Sequence, residues 1–155
     1  MIRKNISNIA MHTNFDQTHL NEYVATEVLG LQIVQKDGFV AYFEIDEDFE
    51  SFARKVSTAF GLPHARCVKT AQRVKKVALT TGSGCSLMRS IDADCFLTGD
   101  VKYHDAMEAK SINLSLIDIG HYESERFFAQ ILQKHLKNLG LEVIIASSEN
   151  PFTYI

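Results

Sequence analysis

The sequence predicts an α/β domain with a mixed, largely parallel sheet, crossover helices and an antiparallel hairpin. Short apolar runs alternate with longer amphipathic stretches, which is the pattern of strands joined by helices. An Asp37-Gly38 pair between two apolar runs predicts a tight hairpin turn, because glycine accepts the positive φ found there. The chain has 155 residues, 46% hydrophobic and 23% charged, which suits one folded unit. We therefore expect a single α/β domain over residues 1–155.

The first part of the chain predicts two helices on either side of the hairpin. Apolar residues recur at helical spacing from Leu20 to Val28, and Gly30 suits the left-handed conformation that ends a helix. The predicted elements are a strand at Ser7–His12, a helix at Asp16–Leu29, hairpin strands at Leu31–Gln35 and Phe39–Ile45, and a helix at Phe49–Phe60 that ends at Gly61.

The second part predicts a regular alternation of strands and helices, which implies parallel pairing through crossover connections. The predicted elements are strands at Lys76–Thr80, Cys95–Leu97, Leu114–Ile119 and Leu141–Ala146, and helices at Ser86–Ser90, Val101–Lys110 and Glu123–Leu139. His12, Asp100 and His121 then follow the ends of strands. Open α/β sheets bind ligands at the carboxyl ends of their strands, so we expect these residues to gather at one functional edge.

Three histidines stand four residues before a carboxylate, namely His12, His104 and His121. Two of these pairs are candidate metal ligands: His12 with Asp16, and His121 with Glu125. Residues i and i+4 project from the same helix face, so one metal ion can contact both. Imidazole with carboxylate is the ligand set of zinc, ferrous iron and manganese sites. Each carboxylate has another explanation, because the helix dipole favours an acid in the first turn. Asp118 is positioned in sequence to accept the second ring N–H of His121.

Other polar residues allow two interpretations each. Asp100 suits a helix cap before Val101. His104 on that helix is a candidate catalytic residue that either supports the metal ligands or shuttles protons. The glycine loop at residues 81–85 suits either a phosphate or a tight turn, but it lacks the lysine of a P-loop and the third glycine of a dinucleotide fingerprint. Cys85 begins a helix, so its thiol is a weak candidate nucleophile.

Composition excludes several functional classes. The net charge is −3, and no aromatic residues interleave the basic cluster, so nucleic acid is an unlikely partner. No apolar run approaches the roughly 18 residues that cross a bilayer, so we expect no membrane segment. The N-terminus lacks an apolar signal core, and three cysteines fit a reducing compartment, so we expect a cytoplasmic protein. The basic cluster consists of Arg66, Lys69, Arg73, Lys75 and Lys76.

Four motifs in a fixed order give a more specific indication. They are His12-Thr-Asn-Phe-Asp16, Gly82-Ser-Gly-Cys85, Thr98-Gly-Asp-Val-Lys-Tyr-His-Asp105 and Leu116-Ile-Asp-Ile-Gly-His-Tyr-Glu-Ser-Glu125. Together they resemble the YbgI-like dinuclear-metal family, also called NGG-interacting-factor-like, whose members are often labelled GTP cyclohydrolase I type 2 homologues. The resemblance implies that both His-carboxylate pairs bind divalent metal and that His104 faces the metal cavity. It also implies a homohexamer, and the apolar residues on both faces of the predicted hairpin favour association.

One departure from the family pattern affects the metal centre. Family members are usually longer and carry two adjacent histidines upstream of the His12 motif, and no His-His pair occurs in this chain. We therefore expect the C-terminal part of a family member, with an incomplete metal site. The predicted function is that of a metal-dependent hydrolase, in which zinc, iron or manganese activates water toward a small or phosphate-containing molecule. The alternative is a metal-binding regulatory or interaction module without turnover.

Overall fold

The computed structural model describes residues 2–153 and contains a mixed sheet with helices on both faces. The strands of the described chain are β1 (Gln35–Asp37), β2 (Val40–Asp48), β3 (Arg66–Val68), β4 (Arg73–Ser83), β5 (Cys95–Gly99) and β6 (Ser115–Asp118). Their order across the sheet is β1-β2-β4-β5-β6-β3. The β4-β5 and β5-β6 pairings are parallel, and the remaining three are antiparallel. The predicted mixed α/β class is confirmed, with a larger antiparallel share than the sequence indicated.

The described chain also contains five helices and a six-residue 3-10 helix. The first helix, α1, covers residues 13–28 and includes two π-helical stretches, Asp16–Leu20 and Val24–Val28. The others are α2 (Phe49–Phe60), the 3-10 helix Cys85–Ser90, α3 (Tyr103–Ser111), α4 (His121–Glu125) and α5 (Phe128–Asn138). Among these, α2, the 3-10 helix and α3 lie between strands. A 3-10 turn, Ile2–Lys4, precedes α1.

Alternation along the strands divides the core between the two faces of the sheet, because successive strand side chains point in opposite directions. Phe43, Val77 and Leu97 pack on one face with the apolar sides of α1, α2 and α5. Tyr42 and Phe96 point to the opposite face and pack with residues of the 3-10 helix and α3. Burial of each such large side chain contributes roughly 1.5–3 kcal/mol to folding, so the sheet holds a helical layer on each face.

Helix α2 has the bounds that the sequence predicts, Phe49–Phe60. Its first turn is capped by Asp48, whose carboxylate accepts hydrogen bonds from the backbone N–H groups of Glu50 at 3.0 Å and Ser51 at 3.2 Å. These bonds satisfy N–H groups that have no partner within the helix. The cap and the buried face together explain why this element is recognisable from sequence alone.

Several predicted elements differ in the structure. Ser7–His12 and Leu141–Ala146 form no strand, because neither segment has a hydrogen-bonded neighbour in the described sheet. The long helix predicted at Glu123–Leu139 is divided into α4 and α5. The edge strand β3 was not predicted, because it has only three residues and most of them are exposed.

Both segments that were predicted as terminal strands contain exposed apolar side chains. Ile9 is 84% exposed and Ile144 is 88% exposed. The hairpin, in contrast, contributes buried residues such as Val40 and Phe43 to the protein's own core. Val34 of the predicted hairpin is 57% exposed, so the association predicted from the hairpin stays a prediction, and the two terminal segments add further exposed apolar surface. Within residues 2–153, no helix combines the length and apolar character that spanning a membrane requires.

Candidate metal-binding site

A cavity of about 1630 Å³ opens beside the carboxyl ends of the parallel strands β5 and β6. His12 and Asp16 reach it from the start of α1, and His121 and Glu125 reach it from α4. The structure thus brings the four predicted metal ligands to the wall of one cavity. Asp100, which follows β5, lines the cavity with them.

His121 is held between two carboxylates. Its Nδ1 lies 2.7 Å from Oδ2 of Asp100, and its Nε2 lies 3.3 Å from Oε1 of Glu125. The hydrogen bond with Asp100 raises the pKa of the imidazole, and the negative charge of Glu125 adds to this effect. When Nδ1–H donates to Asp100, the Nε2 lone pair is directed to the side of Glu125 and is available to a ligand.

Asp118 does not have the role that the sequence predicted for it, because Asp100 is the partner of His121. The Asp118 carboxylate, only 8% exposed, instead accepts hydrogen bonds from Arg66 Nη2 at 2.5 Å and from the Gly120 backbone N–H at 3.1 Å. Asp100 also does not cap α3. The Lys102 backbone N–H at the start of that helix donates to Asp105 at 2.8 Å.

The two candidate carboxylate ligands influence each other across the cavity. Burial raises the pKa of Asp16, and the imidazoles of His12 and His121 partly oppose this. Burial likewise raises the pKa of Glu125, and the nearby Asp16 raises it further while the two imidazoles oppose the shift. Two partly buried acids that repel each other favour a nearby cation, because positive charge stabilises both ionised forms.

Close backbone packing positions α4 against the sheet. The buried Gly82 N–H donates to Ser124 Oγ at 2.9 Å, and Ser124 Oγ donates to the His121 carbonyl at 2.9 Å. Gly82 has φ +65°, and a Cβ placed on it would lie 2.2 Å from Glu125 Oε1. The absence of a side chain at Gly82 therefore makes room for the Glu125 carboxylate.

His12 is exposed and precedes α1 rather than ending a strand. Its carbonyl accepts a hydrogen bond from the Phe15 N–H at 2.7 Å, and its Nδ1 lies 2.8 Å from Thr13 Oγ1. Among residues 2–153, no group of three or more His, Cys, Asp or Glu side chains is assembled closely enough to hold a metal ion. The four predicted ligands share a cavity but do not form a closed coordination shell.

His104 is not brought together with the other predicted site residues. It is exposed on α3, where its ring packs 5.3 Å from the ring of Tyr103, and it does not line the cavity. Its catalytic role stays a prediction.

The glycine loop has no free N–H groups at its glycines, because Gly82 N–H donates to Ser124 and Gly84 N–H donates to Thr98 Oγ1 at 2.8 Å. This favours the tight-turn interpretation over a phosphate cradle. Cys85 is half-buried, and burial with the adjacent Asp105 raises the pKa of its thiol to about 12. An activated cysteine has a lowered pKa, so the structure argues against a nucleophilic Cys85.

Sequence reasoning did not identify the basic residues or the chain segment that complete the cavity wall. Arg126 and His64 line it, together with the segment at residues 145–153. Tyr122 O–H donates to the Ser148 carbonyl at 2.6 Å, and Asn150 Nδ2 donates to Glu123 Oε1 at 2.6 Å. These contacts join residues more than 25 positions apart, so no local sequence pattern predicts them.

Comparison with known proteins places these motifs in a family. The family model described as Duf34/NIF3 (NGG1p interacting factor 3) matches residues 1–151. A Campylobacter jejuni protein named GTP cyclohydrolase 1 type 2 homolog is 51% identical over 155 residues, covering 99% of this chain and 64% of that protein. A Helicobacter pylori protein named GTP cyclohydrolase 1 type 2 is 41% identical over 157 residues, covering 100% of this chain and 65% of that protein. The chain thus spans just under two thirds of the length of these relatives.

Solved structures show the same fold. The Staphylococcus aureus hypothetical protein SA1388 superposes with a TM-score of 0.80 at 25% identity, covering 99% of this chain and 70% of that one. A protein titled ybgI, of unknown function, has a TM-score of 0.80 at 24% identity, covering 92% of this chain and 62% of that one. The second likeness is one of fold alone.

Proposed function

Because this chain belongs to the Duf34/NIF3 family, we propose that it contributes ligands to a divalent-metal centre of a hydrolase resembling the GTP cyclohydrolase 1 type 2 homologues. One observation carries the proposal. Two imidazoles and two carboxylates, from segments more than a hundred residues apart, line one cavity, and both imidazoles oppose the burial that raises the pKa of each carboxylate. The names of the relatives support the reaction class by resemblance, and the residues of the cavity do not by themselves select GTP.

The donor set fits a divalent ion in chemical type. His12 and His121 offer ring nitrogens, and Asp16 and Glu125 offer carboxylate oxygens, which suits zinc, iron or manganese. Asp100 behind His121 is the arrangement in which a carboxylate fixes the tautomer of a metal-binding imidazole. A divalent ion, when bound, lowers the pKa of a coordinated water and so provides hydroxide near neutral pH.

We further propose that metal loading by this chain alone is weak or partial. Four donors without a closed shell leave coordination positions to exchangeable water. The family's paired histidines have no counterpart here, since no two histidines are adjacent in the sequence. The proposed assembly is a homo-oligomer, most simply a hexamer, and the proposed substrate is a small or phosphate-containing molecule.

Substitution of Glu125 by Gln tests the metal-binding proposal. Gln keeps the size of the side chain but removes the charge that binds a cation, so zinc or manganese affinity should fall by about tenfold or more in calorimetric titration. The matched control is Glu123→Gln, which removes an equal charge from the same helix, from a residue whose carboxylate instead accepts a hydrogen bond from Asn150. Each change should alter folding stability by only about 0.5 kcal/mol, because both side chains are partly exposed and neither substitution removes apolar contact area. Equal metal affinities in wild type and Glu125→Gln would show that Glu125 binds no metal and would remove half of the site.

A metal-binding module without turnover is the second candidate. The observation that favours it is the exposed position of His104, since the predicted proton-shuttling residue lies outside the cavity. The two candidates differ in one measurement. Metal-loaded protein that hydrolyses nucleoside triphosphates in a metal-dependent manner supports the hydrolase, whereas tight metal binding with no product supports the module.

A further inference from the structure

We propose that Arg126, together with Arg66 and His64, forms an anion-binding rim that receives a phosphate group of the substrate. All three residues line the same cavity as the candidate metal ligands. The inference deepens the proposed hydrolase function and rests on it for the substrate class. The binding of an anion to the rim can nevertheless be measured without any metal.

The proposed rim follows from which charged side chains of the cavity already have partners. Asp118 is bound by Arg66, Glu123 by Asn150, and Asp100 by His121. Among the carboxylates, this leaves Asp16 without an ion-pair partner in the described chain and Glu125 with only the 3.3 Å contact to His121 Nε2, and these two are the groups assigned to a cation. The cavity therefore contains acids suited to a metal ion and, separately, a cation without an acidic partner.

That unpartnered cation is Arg126, which makes neither an ion pair nor a side-chain hydrogen bond with any residue in the 2–153 range. Its guanidinium carbon lies 5.2 Å from the centre of the Phe127 ring, so the group rests on an aromatic face at the break between α4 and α5. Stacking on an aromatic ring restrains a guanidinium but leaves its N–H groups, which lie in the guanidinium plane, free to donate hydrogen bonds. Arg126 thus offers up to five donors to a ligand in the cavity.

Arg66 is fixed by two hydrogen bonds and still has N–H groups that can donate to an anion. Its Nη2 donates to Asp118 at 2.5 Å and to the Val101 carbonyl at 2.9 Å, which uses both hydrogens of that nitrogen. Its Nε and Nη1 make no hydrogen bond within the described chain, and its side chain is 72% exposed. His64 precedes it by two residues and also lines the cavity.

Phosphate is the anion that this set fits best. Arginine presents parallel N–H groups that match two oxygens of a phosphate, and such charge-assisted bonds are stronger than neutral ones. The glycine loop cannot serve this purpose through its glycines, because the N–H groups of Gly82 and Gly84 are already bonded. A substrate that bridges the rim and the acidic residues would place its phosphate on arginine and its reacting atom near the metal.

Pyrophosphate titrated into metal-free protein tests the rim directly. Wild type should bind it, and Arg126→Gln should weaken the binding by about tenfold or more, because a charge-assisted contact is lost. Arg126→Lys should fall between them, since lysine keeps the charge but loses the planar fork. The control is Arg54→Gln, which removes the same charge from an exposed position on α2 that does not line the cavity.

The outcomes separate this inference from the proposed function. Unchanged pyrophosphate affinity in Arg126→Gln, an equal loss in Arg54→Gln, or no binding by wild type would each overturn the rim. Zinc affinity should be the same in wild type and Arg126→Gln, because Arg126 forms no ion pair with Asp16 or Glu125. Arg126-dependent pyrophosphate binding in a chain that binds no metal would support the rim and defeat the metal centre.

Discussion

Substitution of Gly82 by Ala should weaken metal binding through a single displaced carboxylate. A Cβ at Gly82 would lie 2.2 Å from Glu125 Oε1, so the carboxylate must move away by about 1.2 Å to restore an ordinary contact of 3.4 Å. Metal sites hold their ligand distances to within about 0.2 Å, so a shift of this size takes Glu125 out of bonding range. We expect divalent-metal affinity to fall by about tenfold or more, as it does when support for a ligand is lost.

The same substitution has a separate cost in folding stability. Gly82 has φ +65°, and a residue with a Cβ is disfavoured there by about 1–2 kcal/mol. The steric overlap itself adds little, because the displaced atom is the end of a flexible side chain. Urea denaturation of the apoprotein measures this backbone contribution, and calorimetric titration with zinc measures the loss of affinity.

Gly38→Ala is the matched control. Gly38 also has positive φ, at +55°, but nothing lies within 4 Å of the position that its Cβ would take. Both variants should therefore lose similar stability, and only Gly82→Ala should lose metal affinity. A Gly82→Ala protein with wild-type metal affinity would refute the reasoning, because it would show that metal binding does not require the Glu125 carboxylate in its present position.

Three further predictions follow from the contacts described above. Asp100→Asn should bring the raised pKa of His121 back toward its ordinary value, because the hydrogen bond to Asp100 is the main cause of the shift, and an unchanged NMR titration would contradict this. Iodoacetamide should alkylate Cys85 slowly at pH 7.5, with a rate that still rises above pH 9 because its thiol pKa is about 12; a rate that levels off near pH 9 would exclude so high a value. Light scattering should show that the wild-type chain associates, and a wild-type monomer would contradict this. Ile144→Lys should dissociate the assembly and Met107→Lys should not, because both side chains are exposed but only Ile144 lies in an apolar segment without a strand partner.

Elements with strong local signals could be predicted from sequence, and those defined by distant neighbours could not. Helix α2 has a capping residue and a complete apolar face, so its predicted bounds, Phe49–Phe60, agree with the structure. Leu141–Ala146 has the composition of a buried strand, yet a strand needs a partner, and none is present in the described sheet. Strand β3 shows the reverse, because pairing with β6 makes Arg66–Val68 a strand without an apolar alternation.

The same distinction applies to the site. The pair His121 and Glu125 lies on one helical turn, so its proximity follows from spacing, and the structure has the two side chains 3.3 Å apart. The bond between His121 and Asp100 joins residues 21 positions apart, through two neighbouring parallel strands. Sequence spacing favoured Asp118 for this role because it is nearer along the chain, although it lies on a strand whose edge neighbour was not predicted.

Backbone packing at Gly99 explains why Asp100 rather than Asp118 orients the imidazole. A Cβ at Gly99 would lie 2.7 Å from both the Gly120 carbonyl carbon and the His121 nitrogen, atoms of the main chain that cannot move aside. Glycine therefore allows the end of β5 to approach the start of α4 directly, and the next residue, Asp100, meets the His121 ring. Asp118 is meanwhile engaged by Arg66 from β3. The contact between the His121 ring and Asp100 thus depends on a close backbone approach that only glycine permits. A larger residue at position 99 should therefore displace the ring from Asp100, although the atoms nearest to its Cβ all belong to the backbone.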